Sequence, residues 1–158
     1  MSKRLSSTHE ISRRTALGLA FGGSVAVAAA AYGLPVQASP LADEIMKKIM
    51  GGKSAADGGV KLDVPEIAEN GNTVPVGFSV DSPMTKDDYI KSVHIIADGN
   101  PGPMIATFNF TPMSGKASAS TRMRLAKTQN IIAIAEKSDG SLMKTSTQVK
   151  VTIGGCGG

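Results

Sequence analysis

Two neighbouring stretches decide the fold: Asn130-Ile131-Ile132-Ala133-Ile134-Ala135-Glu136 and, after the break Ser138-Asp139-Gly140, the run that ends Gln148-Val149-Lys150-Val151-Thr152-Ile153. Residues 131–135 are apolar at every position, which predicts a strand covered on both faces, whereas residues 148–153 alternate polar and apolar side chains. Val76-Gly77-Phe78-Ser79-Val80 repeats the alternation further upstream. Turn residues punctuate the chain at Asn70-Gly71-Asn72, Asp81-Ser82-Pro83, 98–103 and Thr111-Pro112. The spacing predicts strands over 60–67, 73–80, 92–97, 104–110, 117–125, 130–136 and 141–153. Ahead of them, apolar residues at 41, 45, 46, 49 and 50, with acids leading and lysines following, predict one helix over 41–50 that Gly51-Gly52 ends. One short helix followed by short strands at this spacing predicts an all-β domain, an immunoglobulin-like β-sandwich.

A chain of 158 residues has room for one such domain. Its few aromatic residues imply a thin core, so one face of 131–135 is expected to meet a partner chain, with Met104, Met113, Met123 and Met143 as candidate contact residues. The net charge of +4 invites a nucleic-acid reading, but residues 1–38 hold Lys3, Arg4, Arg13 and Arg14 against Glu10 alone. The remainder, with 13 basic and 12 acidic residues, is nearly neutral and offers no electrostatic footing for nucleic acid.

Those first residues read as an address. Arg13-Arg14 precedes an uncharged Ala/Gly-rich run over 15–34, then Pro35 and Val36-Gln37-Ala38 before Ser39, the order of a cleavable secretory signal. The run is too rich in Ala and Gly to be read as a stable membrane span. Ser12-Arg13-Arg14-Thr15-Ala16-Leu17 resembles the twin-arginine export motif, departing from it at Ala16 and Gly18. The expected organisation is a signal peptide over 1–38, a sandwich domain over 39–153 and a flexible arm over 154–158, with the mature protein in the periplasm.

The arm is Gly154-Gly155-Cys156-Gly157-Gly158, with the single cysteine of the chain between four glycines. Such a segment has no side chains to pack and is expected to move freely. At about 3.3–3.6 Å per residue, the three steps from Ile153 carry Cys156 roughly 10 Å past the sheet. A catalytic cysteine needs a fixed place and a group that lowers its pKa. Nothing near Cys156 in the sequence supplies either, so activation must come from whichever enzyme receives the arm, and the chain reads as a carrier rather than an enzyme.

The leader, the short helix, the all-β domain and the ending Val151-Thr152-Ile153-Gly154-Gly155-Cys156-Gly157-Gly158 together resemble the SoxY family, sulfur-carrier subunits of the periplasmic Sox thiosulfate-oxidising system. The resemblance implies that Cys156 holds substrate covalently as a cysteine S-thiosulfonate and related persulfide-level adducts. It implies a heterodimer with a SoxZ-like subunit, and transient visits to the cytochrome SoxAX, the hydrolase SoxB and SoxCD. It implies no cofactor and no metal on this chain. The exposed thiol can also join a second copy through a Cys156–Cys156 disulfide.

Other constellations fit the sequence less well. A copper site needs two His, and His9 leaves with the leader. His94 could serve Cys156 as a base, but its place in Val93-His94-Ile95-Ile96 fits an ordinary strand position better. Gly51-Gly52-Lys53-Ser54 lacks the upstream glycine of a phosphate loop and follows a helix instead of a strand. Arg122 and Arg124 are expected on one strand face with Ser120, as a solvated face or a patch for anionic partners. Gly157-Gly158 also fits carriers that use a terminal thiocarboxylate, although their adenylation needs ATP, which an exported chain does not meet. A third reading is an exported structural or interaction module with an incidental thiol.

Overall fold

The computed structural model describes residues 39–155; the expected leader over 1–38, together with Cys156, Gly157 and Gly158, lies outside the described residues. Helix α1 spans Pro40–Met50. Ser39, in extended conformation, accepts the Ala42 N–H on its side chain, and Pro40 fits the first turn, where an N–H has no partner to lose. Lys47 and Lys48 lie in the last turn, and Gly51 closes it at φ 57°, a left-handed conformation that glycine adopts without a Cβ clash.

Nine strands follow among the described residues: β1 (Ala55–Asp57), β2 (Val60–Asp63), β3 (Ile67–Ala68), β4 (Val74–Val80), β5 (Ile90–Ala97), β6 (Met104–Asn109), β7 (Ala117–Met123), β8 (Gln129–Lys137) and β9 (Leu142–Val151). The larger sheet runs β1-β9-β8-β5-β6, with β3 also on β9, and the smaller runs β2-β4-β7. The strands β5, β6, β8 and β9 pair antiparallel, whereas β1 and β3 lie parallel to β9, at its start and its end respectively. The two sheets enclose one core that includes Val74, Val76, Phe78 and Val80 of β4, Val93 and Ile95 of β5, Ile131, Ala133 and Ala135 of β8, and Val149 of β9. Phe78 meets Phe108 and Phe110 edge-on, with ring centroids 5.1 and 6.1 Å apart. The all-β sandwich with a leading helix is therefore present.

The strand count differs from the seven expected, for local reasons. The run 60–67 divides: β2 joins the smaller sheet, Val64-Pro65-Glu66 crosses over, and β3 joins the larger, with Pro65 unable to donate to a ladder. β1 has only three residues, too few to show a period. β7 ends at Met123 and β9 at Val151, because Leu125 and Ile153 bond to Gly71 instead of to a neighbouring strand.

The expectation that a partner covers one face of 131–135 is corrected. Ile132 and Ile134 point away from the sandwich core and form a second cluster with Ile96, Leu142 and Ala42, against which Ile45, Met46, Ile49 and Met50 of α1 pack. The apolar stripe of the chain's own helix closes this face, and Ile134 and Ala42 are fully buried. Of the four methionines, Met123 is in the core and Met143 packs against it, while Met113 stands exposed in the turn between β6 and β7.

Beyond the helix, the same sheet face is polar. His94 is half-buried there, with Nδ1 3.0 Å from Thr107 Oγ1 and Nε2 3.2 Å from Ser92 Oγ. Burial lowers its pKa from the ordinary 6.5, and the charge of Glu136 offsets this in part. Lys91, beside it on the strand, pairs with Glu136 at 2.8 Å.

Two outcomes follow from this packing. Ile134→Ala leaves a cavity between sheet and helix and is expected to lower unfolding stability by about 2–5 kcal/mol, read from urea denaturation. His94 contributes a pH dependence of definite sign. As pH falls below 6.5 the unfolded chain takes up a proton that folded His94 resists, so stability held above that pH is lost toward the lower folded value. Comparing urea midpoints at neutral and mildly acid pH, His94→Gln should lose less stability on acidification than the parent protein.

Candidate functional site

The approach to Cys156 is built by a succession of hydrogen bonds to and from the backbone. Val151 N–H donates to Thr128 Oγ1 at 3.0 Å, Thr152 N–H to Ala68 O at 3.1 Å, and Thr152 Oγ1 to Glu69 O at 2.9 Å. The chain then meets the loop Asn70-Gly71-Asn72. Gly71 N–H donates to Ile153 O at 2.7 Å, Gly71 O accepts Leu125 N–H at 2.8 Å, and Gly155 N–H donates to Leu125 O at 2.9 Å. Three distant segments thus close on one another around Gly71.

Glycine is required at these contacts by proximity, since none of the three has a positive φ. A Cβ at Gly71 would lie 2.6 Å from Gly155 N and run into Leu125 O. One at Gly155 would lie 2.6 Å from Gly71 O, and one at Gly154 would collide with Ala126 O. Gly71 and Gly155 are buried. The two bonds that hold residues 153–155 to this seat contribute about 0.5–1.5 kcal/mol each. Opening the seat is therefore within reach of a docking partner.

The segment 124–126 is itself fixed from below by buried amides. Asn100 Nδ2 donates to Arg124 O at 2.8 Å, and Asn100 Oδ1 accepts Ala126 N–H at 3.0 Å and Gln129 Nε2 at 2.8 Å. Gln129 Oε1 accepts Gly99 N–H at 2.8 Å. Asp98 binds Asn130 through both carboxylate oxygens, at 2.9 and 2.8 Å, and its carbonyl accepts Ser39 N–H. Every side-chain amide in this cluster is paired, so it is rigid and low in energy where a half-satisfied one would be neither.

Cys156 follows Gly155 directly in the chain and lies outside the described residues, as do Gly157 and Gly158. In the part of the expected arm that is described, Gly154 and Gly155, the lack of side chains permits a close approach to the backbone of residues 71 and 125–126. His94 is not at the seat: it lies opposite Ile134, which lies opposite Lys144 near the start of β9, whereas the seat follows the end of that strand. Arg122 and Arg124 part company. Arg122 edges a shallow, open depression of about 570 Å³ on the smaller sheet with Asp63, Pro75, Gly77 and Ser120, whereas Arg124 lies past the end of β7, beside the seat. No group of three or more His, Cys, Asp or Glu stands ready to hold a metal among the described residues.

Sequence reasoning missed Gly71, Leu125, Asn100 and Gln129. Asn70-Gly71-Asn72 is legible as a turn, but its contacts with two remote segments leave no local signature.

Comparison with known proteins accords with this geometry. The family described as sulfur oxidation protein SoxY matches residues 46–156, a span that ends on the cysteine. The sulfur carrier protein SoxY from Chlorobium limicola f thiosulfatophilum is 32% identical, with a TM-score of 0.60 over 70% of this chain and 96% of its own. The superoxide reductase (neelaredoxin) from Ignicoccus hospitalis, 20% identical with a TM-score of 0.54 over 60% of this chain and 80% of its own, shares the fold alone. No curated protein sequence matches. A match over most of the chain, through a seated arm to its last described residue and the cysteine beyond, shows that the chain belongs to the SoxY family of sulfur oxidation proteins.

Proposed function

We propose that the chain carries sulfur intermediates of thiosulfate oxidation on Cys156 and presents them to other Sox enzymes without catalysing a step itself. The observation that carries this reading is the setting of the thiol. It follows a glycine seat that admits no side chain, on a strand end held by the sandwich, and no group of three or more metal-ligating side chains stands there among the described residues. Such a thiol is presented, not activated.

The chemistry balances as follows. Loading joins the sulfane sulfur of thiosulfate to the Cys156 sulfur. The thiol gives up its proton, and the pair of electrons passes to a c-type cytochrome, the role that SoxAX fills. Hydrolysis of the resulting S-thiosulfonate, the part of SoxB, consumes one water, releases sulfate and two protons, and leaves a persulfide on Cys156. SoxCD then oxidises the remaining sulfane sulfur: six electrons pass to an external electron acceptor, three waters supply oxygen and release six protons, and hydrolysis of the resulting S-sulfonate frees a second sulfate and restores the thiol. A SoxZ-like subunit is the proposed stable partner, and a Cys156–Cys156 disulfide the proposed reducible, inactive dimer.

Export by the twin-arginine route to the periplasm belongs to this reading, supported by Arg13-Arg14 and the Ala/Gly-rich run that follows. No helix among the described residues is long and apolar enough to cross a membrane.

Replacing Cys156 by Ser is expected to preserve folding and SoxZ binding and to abolish loading. Intact-mass spectra after incubation with thiosulfate and the cytochrome check this, and an adduct persisting on the Ser variant would sink the assignment. Removing Gly157 and Gly158 tests the thiocarboxylate alternative. A carrier that works through its terminal carboxylate loses all loading, whereas a Cys156 carrier retains it in part.

A further inference from the structure

The seat around Gly71 gives the arm two lengths. With residues 153–155 held, Cys156 projects one residue from a fixed point, about 3.3–3.6 Å of chain. With the seat open, the chain is free from Ile153 and the same thiol lies three residues out, roughly 10 Å. Nothing in the fold of the sheets requires this contact, because β9 ends at Val151, before the seat begins. Yet the contact is specified from both sides: Gly71 is buried against backbone of Leu125 and Gly155, and Gly154, though exposed, leaves no room for a Cβ beside Ala126 O.

We propose that Gly71 is a positioning residue for Cys156: it closes a backbone seat that holds the root of the arm short and oriented in the free carrier, and that opens to lengthen the arm when an enzyme draws the cysteine into a deep pocket. The inference rests on the carrier reading for its purpose, but not for its geometry. The short state keeps a bound sulfur adduct near the carrier surface between visits, where it meets fewer stray thiols. The long state adds two residues, about 7 Å of chain, to the free tether for two backbone hydrogen bonds.

The test reads the arm itself. In ¹⁵N-labelled protein the Gly155 amide should exchange with solvent at least ten-fold slower than in a free Ile-Gly-Gly-Cys-Gly-Gly peptide. Gly71→Ala should raise its exchange at least five-fold while the amides of Ile132 and Ile134 in β8 keep their protection. A nitroxide on Cys156, the only cysteine, should show a broadened spectrum in the parent protein and a narrow one in Gly71→Ala. Gly102→Ala, where a Cβ meets open space, should alter neither readout. If Gly71→Ala loses the β8 amides as well, Gly154→Ala replaces it. That change lies past the last strand and blocks the seat at Ala126, and it should free the Gly155 amide in the same way. A Gly155 amide in the parent protein exchanging within two-fold of the peptide, or one left protected by the substitutions, would overturn the proposal. Neither readout involves sulfur loading, so the seat and the carrier assignment fail independently.

Discussion

The pairing of β8 with β9 is the constraint from which the rest of the molecule hangs. β8 is apolar on both faces, so it can lie only at the centre of a covered sheet. Ile131, Ala133 and Ala135 face the sandwich, while Ile132 and Ile134 face α1. Antiparallel register from Gln129↔Val149 to Glu136↔Leu142 then places β9 beside it and fixes where the chain leaves the sheet. A one-residue slip would turn both isoleucine sets to the wrong side, so the exit point is specified as firmly as the core itself.

From that exit the control passes from hydrophobic packing to polar satisfaction. Asn100 and Gln129 spend their amide groups on the backbone of 124–127 and on each other, and this holds Leu125 where it can accept the Gly155 N–H. The cost of leaving such buried amides unpaired, about 1–3 kcal/mol per group, is about twice the gain from any one bond in the seat. A stiff foundation therefore carries a weakly held arm, and a presented thiol needs that division: a well-defined starting point and an inexpensive release.

The sequence made some of this legible and not the rest, for physical reasons. The double-faced strand at 131–135 and the helix over 41–50 are local periodicities that appear where expected, and the alternation at 148–153 is strand as far as Val151. Cys156 between glycines is also a local pattern, and it carried the resemblance that the family match supports. What stayed hidden is non-local or too short. β1 and β3, at three and two residues, exist because β9 offers them an edge. The cover over Ile132 and Ile134 was assigned to a partner because the amphipathic stripe of α1 does not state where it docks. The close contacts of the glycines at 154 and 155 are invisible in the sequence, because their partners, Ala126 and Gly71, lie in distant segments.

The central claim is that Cys156 is the point of covalent attachment for sulfur in transit. Its most direct test is the mass of the C-terminal peptide in protein purified, under non-reducing conditions, from its native source during growth on thiosulfate. The account predicts a fraction of that peptide heavier by a thiosulfate-derived or sulfane-sulfur adduct, removed by reductant. A C-terminal peptide found only as free thiol or simple disulfide, with thiosulfate oxidation proceeding, would contradict it.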